Sequence, residues 1–282
     1  MERHITAGID GSRESLDAAD WAAREALRRG LPLQLVHAVD ESASRTRLPE
    51  LDAPAERERT ALDRAALRLS YAHPTLKIRP SRIPGPPVPA LLAAAESAET
   101  LVLGSRGYTN FAAFMVGSVA LGVTAGASRP VVLIRAGERP EDEHEESTSS
   151  PYRPVVLGVD LDHPCDEVLE YAFDAAAVRR SPLHVLHTWM VPLVPSASTD
   201  DPEEETARSL TVALAPWRHK FPDIQVREQL IHGRAGHHLL MASTKASLMV
   251  IGRRIAPGGH LGITTRSVIH HVLCPVAVVP HA

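Results

Sequence analysis

The sequence predicts an α/β fold of parallel sheets, laid down twice along one chain. Three observations carry this expectation. Short β-branched, apolar runs alternate with longer stretches of helical period, the order that gives parallel strands joined by right-handed crossovers. Runs such as Val131-Val132-Leu133-Ile134 are apolar on both faces, as strands sandwiched between helices must be. The chain also repeats itself. Residues His4–Asp10 match Pro154–Asp160, Leu33–His37 match Leu183–His187, Leu101–Gly104 match Met249–Gly252, and Pro130–Ile134 match Pro275–Val279. Internal similarity of this kind marks two copies of one domain.

In the first copy a strand is expected near 5–10. A helix follows over about 13–29, where Leu16, Ala19, Ala23 and Leu27 recur at spacings of three and four, a single apolar stripe. Further strands are expected near 33–39, 76–80, 100–104 and 130–135, with helices over about 55–71, 87–97 and 117–128. The second copy repeats the order. Its strands are expected near 154–159, 183–189, 224–230, 248–252 and 275–279, and its helices near 164–179, 203–219, 235–245 and 263–272. The segments after the second strands, about 40–54 and 190–203, are rich in Pro, Ser, Asp and Glu. They read as solvated connections or as a flexible cover near the ligand end of the sheet.

The 282 residues suit two domains of ordinary size. The expected division is a first domain over 1–137, an acidic linker over 138–151 and a second domain over 152–282. The linker, Glu138 to Pro151, is Ser/Thr-rich and nearly free of apolar side chains, so a mobile connection is expected. With 44% hydrophobic and 23% charged residues, each copy can bury a core and remain soluble. The net charge of −4 argues against a nucleic-acid partner. No apolar stretch reaches the roughly 20 residues of a membrane span, and none precedes the first strand as a signal segment would. A cytoplasmic protein with two reduced thiols, Cys165 and Cys274, is expected. The basic residues are mostly Arg, a bias that suits a GC-rich bacterial genome.

Chemistry concentrates at one place. Residues 104–118 carry Gly104, Gly107 and Gly117-Ser118 between a strand and a helix. Glycines free the backbone to curl and present its N–H groups, and the following helix start adds unpaired N–H groups and a positive dipole end. Such a loop suits a phosphate chain even without the P-loop lysine, which is absent. Ser118 can offer its hydroxyl and its backbone N–H. Arg106 can neutralise phosphate or stand solvated. Asp10, closing the first strand, can accept from a ribose hydroxyl or an adenine amino group, or serve as a cap for helix one. Trp21 is expected to pack, Tyr108 and Phe111 to anchor the loop or stack on a base, and His37 and His187 to be buried and hydrogen-bonded. His270 and His271 are adjacent on a helix and do not face together. No metal site is expected.

Taken together, Gly-Ile-Asp-Gly-Ser at 8–12, Leu-Val-His-Ala at 35–38, Gly-Ser-Arg-Gly at 104–107, Gly-Ser-Val at 117–119 and Arg-Pro-Val-Val-Leu-Ile at 129–134 resemble the universal stress protein family. The resemblance spans nearly the whole chain. It implies two tandem flavodoxin-like (adenine nucleotide alpha hydrolase-like) domains, each a five-stranded parallel sheet of order 3-2-1-4-5 with helices on both faces. It implies ATP as ligand, alone or with Mg. The binding set it implies is Gly8, Ile9, Asp10, Ala38, Leu103, Gly104, Arg106, Gly107, Gly117, Ser118 and Val119. It also implies pairing of the two domains through their last strands, and a possible homodimer.

The second copy departs from this pattern. Asp160 and Gly252 remain, but Ile255 stands for the second glycine and Ile263 for the serine. Isoleucine disfavours positive φ, so this copy is expected to be chiefly structural, with Arg253 and Arg254 as an alternative anion site. Three functions follow. The first is an ATP-binding regulatory module of the stress response, without catalysis as its task, slow ATP hydrolysis staying open. The second is an interaction scaffold without nucleotide. The third is a nucleotidyl transferase, which the lack of histidine across Asp10–Glu14 disfavours.

Overall fold

A computed structural model describes residues 3–39, 53–105, 116–163, 165–189, 202–256 and 258–282. The chain forms two compact units, Met1–Arg139 with Ile255–His260, and Pro140–Arg254 with Leu261–Ala282.

The first unit runs β1 (Ile5–Gly8), α1 (Arg13–Arg29), β2 (Leu33–Val39), α2 (Ala53–Ala72), β3 (Ile78–Pro84), α3 (Pro87–Ser97), β4 (Thr100–Ser105), α4 (Ser118–Gly126) and β5 (Val131–Arg135). Its strands are all parallel and lie in the order β3-β2-β1-β4-β5. The second unit runs β6 (Val155–Gly158), α5 (Asp166–Arg179), β7 (Leu183–Trp189), α6 (Pro202–Lys220), β8 (Val226–His232), α7 (Ala235–Ser243), β9 (Leu248–Arg254), α8 (Ile263–His271) and β10 (Val276–His281). Its order, β8-β7-β6-β9-β10, repeats the first in parallel register. The helices pack in pairs, α1 with α2, α3 with α4, α5 with α6 and α7 with α8. The expected 3-2-1-4-5 order therefore holds in both copies.

The apolar stripe of α1 needs correction. Its buried residues include Ala18, Ala19, Trp21, Ala22, Ala23 and Ala26, whereas Leu27 is 38% exposed and Leu16 only partly covered. Alanines line the face because the helix lies very close to the sheet: a Cβ on Gly104 of β4 would stand 2.5 Å from the Glu14 carbonyl carbon. Leucine has no room there. Trp21, as expected, is fully buried. Glu25 is also fully buried and accepts from Arg28 Nη1 at 2.7 Å and from Arg29 Nε at 2.6 Å. In α5 the matching positions are Ala175 and Arg179, and Arg179 donates Nη1 to the Ala175 carbonyl at 3.1 Å.

The expected mobile linker is instead folded. Pro140–Glu143 form a 3₁₀ turn, and Glu143 is fully buried. His144 bridges to Tyr152 in antiparallel fashion, their rings 4.0 Å apart. Ser150 Oγ accepts from the Glu146 and Ser147 amides at 3.0 and 3.1 Å and donates to the Ser147 carbonyl at 2.7 Å. A polar segment can thus satisfy its own backbone without apolar side chains. Most of the two long segments after β2 and β7 lies outside the described residues, which resume at Ala53 and Pro202.

Candidate functional site

In an open parallel sheet a crevice forms beyond the strand carboxyl ends where the connection order reverses. Here β1 sits between β2 and β4, so that point lies at the ends of β1 and β4. Gly8 closes β1, and a Cβ there would stand 2.7 Å from Leu103 Cδ2, which brings the two strand ends together. Ile9 is buried, its amide bonded to the Val36 carbonyl at 2.7 Å. Its own carbonyl accepts from His37 Nδ1 at 2.7 Å, so the His37 ring carries its proton on that nitrogen. The second copy repeats this with His187 Nδ1 and the Val159 carbonyl at 3.0 Å. Both histidines are hydrogen-bonded as expected, but only His37 is buried; His187 is half-buried. Ala38 follows His37 and is half-buried, paired in register with Ile83.

Asp10 stands exposed past the end of β1. Its Oδ1 accepts from the Ser12 amide at 2.9 Å and from Ser12 Oγ at 2.5 Å. Ser12, not Asp10, is the N-cap of α1, accepting from the Ser15 amide at 3.2 Å. The capping role therefore belongs to the serine, and Asp10 orients it. Ser105 is buried at the end of β4 and donates to the Ile134 carbonyl at 3.1 Å.

Arg106 and Gly107, with Tyr108 and Phe111, lie outside the described residues. The far side of the loop is described. Gly117 is the N-cap of α4 and makes no side-chain cap bond. Ser118 is exposed and Val119 half-buried. Among the described residues no atom lies within 4 Å of where a Gly117 Cβ would stand. No described side chain caps this helix start, a setting that favours an anion. Among the described residues no cluster of three His, Cys, Asp or Glu side chains could hold a metal ion.

The corresponding place in the second copy is arranged differently. Asp160 Oδ2 lies 3.2 Å from His163 Nδ1, and Arg254 Nη1 lies 2.9 Å from His163 Nε2. Arginine can only donate, so Nε2 accepts and Nδ1–H donates to Asp160. The carboxylate matching Asp10 thus accepts from the chain's own imidazole, which Arg254 in turn engages, and from the Asp162 amide at 3.1 Å, while staying exposed. Arg253 is buried, which pushes its guanidinium below the usual arginine value, and Ile263 is 92% exposed at the start of α8. The expected anion site on Arg253 and Arg254 does not form as a pair: one is buried and the other is engaged by His163. Sequence reasoning missed this closure. Its one signal was His163, which stands where the first copy has Arg13.

Comparison with known proteins agrees with this architecture. The universal stress protein family profile matches residues 1–135 and again 151–280. The chain is similar to Universal stress protein Rv1996 of Mycobacterium tuberculosis (strain ATCC 25618 / H37Rv), with 30% identity covering 97% of this chain and 94% of that one. It is 29% identical to Universal stress protein Rv2005c of the same strain, covering 97% and 96%. Among solved structures, a universal stress protein from Archaeoglobus fulgidus DSM 4304 shares the fold with a TM-score of 0.75 at 20% identity, covering 99% of this chain and 98% of that one. Among the described residues no helix is long and apolar enough to cross a membrane. Two profile matches on two copies of one parallel-sheet unit make this chain a tandem member of the universal stress protein family.

Proposed function

We propose that the first copy binds an adenine nucleotide, ATP with or without magnesium, and that the protein acts in the cytoplasm as a regulatory module of the stress response rather than as an enzyme. One observation carries the reading: the start of α4, with Gly117 clear of the described residues and Ser118 exposed, follows β4, which pairs with the strand that precedes Asp10. Amides and helix dipole suit the phosphates, and the exposed Asp10 suits a ribose or adenine donor. Arg106 and Gly107 would complete the cradle. Gly8, Ile9, Ala38 and Leu103 would line the nucleoside end.

The test is ATP-dependent thermal protection of the full chain. At a hundred times Kd, binding stabilises by about 2.7 kcal/mol. Gly117 has φ −61° and no described residue near its Cβ position, so Gly117→Val is expected to keep the melting temperature of the ATP-free chain. It should remove the protection by crowding the phosphates. Equal protection of both proteins would overturn the reading.

A second reading, an interaction scaffold, draws support from the second copy, where His163 donates to Asp160 and Arg254 donates to His163. Gly262→Val at the start of α8 is expected to leave ATP protection unchanged. A chain that ignores ATP altogether would favour the scaffold.

A further inference from the structure

The second unit contains a cleft of about 580 Å³ that lies away from the strand carboxyl ends. Its floor is the sheet face beneath α7. Val156, His184 and Leu186 line it from β6 and β7, and Met241, Thr244 and Lys245 from the end of α7 and the turn beyond. The register explains why they converge. Val156 pairs with His184, and His184 with Arg227, so all three point to one face. Gly158 lies on that face too, where a Cβ would stand 3.0 Å from Leu239 of α7. The folded segment after Glu143 supplies Glu145 and Arg153 to the wall.

The chemistry of this cleft is one-sided. Val156 and Leu186 are buried and apolar, and Met241 is an exposed thioether at 58%. Among the described residues, no side-chain hydrogen bond or ion pair engages Arg153 or Lys245, and no protein atom bonds the His184 ring nitrogens. Glu145 is the one acid in the lining. Burial, with Arg227 as the lesser cause, lowers the His184 pKa, so the ring is neutral near pH 7 and can both donate and accept. The first copy lacks this set. Counted from the glycines Gly85 and Gly233 that precede the two helices, it carries Ala93, Glu96 and Ser97 where the second has Met241, Thr244 and Lys245. The register puts Gln34 where the second has His184.

We propose that this cleft is a second ligand site, for an amphipathic organic anion: a carboxylate or phosphate head held by Arg153 and Lys245, with an apolar body over Val156, Leu186 and Met241. The volume lies in the range of small-molecule sites. An apolar floor supplies affinity, and a few polar groups set orientation.

The probe is decanoate, titrated calorimetrically into the full chain, with monodecyl phosphate to distinguish the two heads. Decanol and decylammonium serve as neutral and cationic controls. Decanoate or the phosphate should bind, with the two controls weaker by about tenfold, the loss of one charge-assisted contact. The double change Arg153→Gln and Lys245→Glu should weaken the anion by tenfold or more. Met241→Trp, which fills the cleft without touching charge, should weaken all four probes. Unchanged melting temperatures would show both variants folded. Saturating ATP and Gly117→Val should leave decanoate binding unchanged, so failure of the nucleotide reading leaves this one standing. Absence of binding by either anion, equal binding of decanol, or indifference to both variants would overturn it.

Discussion

The first helix of each copy stops in the same turn, on different residues. In α1 the turn is Gly30, at φ 63° and ψ 30°, with its amide on the Leu27 carbonyl at 3.2 Å and the Leu31 amide on Ala26 at 2.9 Å. In α5 it is Arg180, at φ 50° and ψ 42°, with bonds to Ala177 at 3.0 Å and from Ser181 to Ala176 at 3.1 Å. The bonding is that of a Schellman cap. Arg180 is the one non-glycine with positive φ among the described residues. The backbone geometry outlived the residue best suited to it. The site shows a similar pattern: Asp160, like Asp10, accepts from the amide two residues on, but a histidine imidazole donates where the first copy has the Ser12 hydroxyl.

The largest difference between the copies should come from their buried charges. Glu25→Ala removes the buried carboxylate that Arg28 and Arg29 share, with Arg29 keeping Glu99 Oε1 at 3.3 Å, and is expected to cost about 3 kcal/mol. The second copy carries alanine at that position already, so Ala175→Gly should cost no more than about 1 kcal/mol in propensity. Urea unfolding of both variants measures the contrast, and similar midpoints would break it. Next come the strand-end glycines. Gly104→Ala drives a Cβ into the backbone of Glu14, whereas Gly252→Ala meets the ring of His281 at 2.9 Å, a side chain that can move. Overpacking of about 1–3 kcal/mol is expected for the first and the low end of that range for the second.

Alkaline pH should separate the copies as well. Burial, and then the carboxylates of Asp160, Glu167 and Asp166, push the Cys165 thiol up to about 11. The folded value lies above the unfolded one, so the stabilisation is complete below about pH 9 and is lost as pH rises through 11. The first copy has Ser15 at that position, which does not titrate. Cys165→Ala should flatten the alkaline slope of stability, and an unaltered slope would refute the assignment. The smallest change is Arg180→Gly, expected to raise stability by roughly 0.5–1 kcal/mol as the left-handed strain is relieved. A lower melting temperature would show that Arg180 contributes contacts that outweigh its backbone.

The order of elements was legible because period alone separates strands such as Val131–Ile134 from helices such as α1. The buried face of α1 was not. Periodicity weights leucine over alanine, but the close approach at Gly104 admits only small side chains. Composition also misjudged the segment after Glu138, because it cannot show a serine hydroxyl bonding the backbone amides of Glu146 and Ser147 earlier in the chain. For the site, residue types and order were readable around Asp10 and Gly117. The division of labour between Asp10 and Ser12 was not, since either can cap a helix. The closure of Asp160 joins residues far apart in sequence, His163 and Arg254, and only the pairing of β6 with β9 brings them together.

The tight seat of Gly104 against the backbone of Glu14 bears on how glycine patterns are read across relatives. A first helix seated this close favours that glycine whether or not a ligand ever arrives. Pattern matching that scores it as recognition is counting architecture twice, and the position that separates the copies is Ser118 against Ile263, since Gly117 and Gly262 open their helices alike.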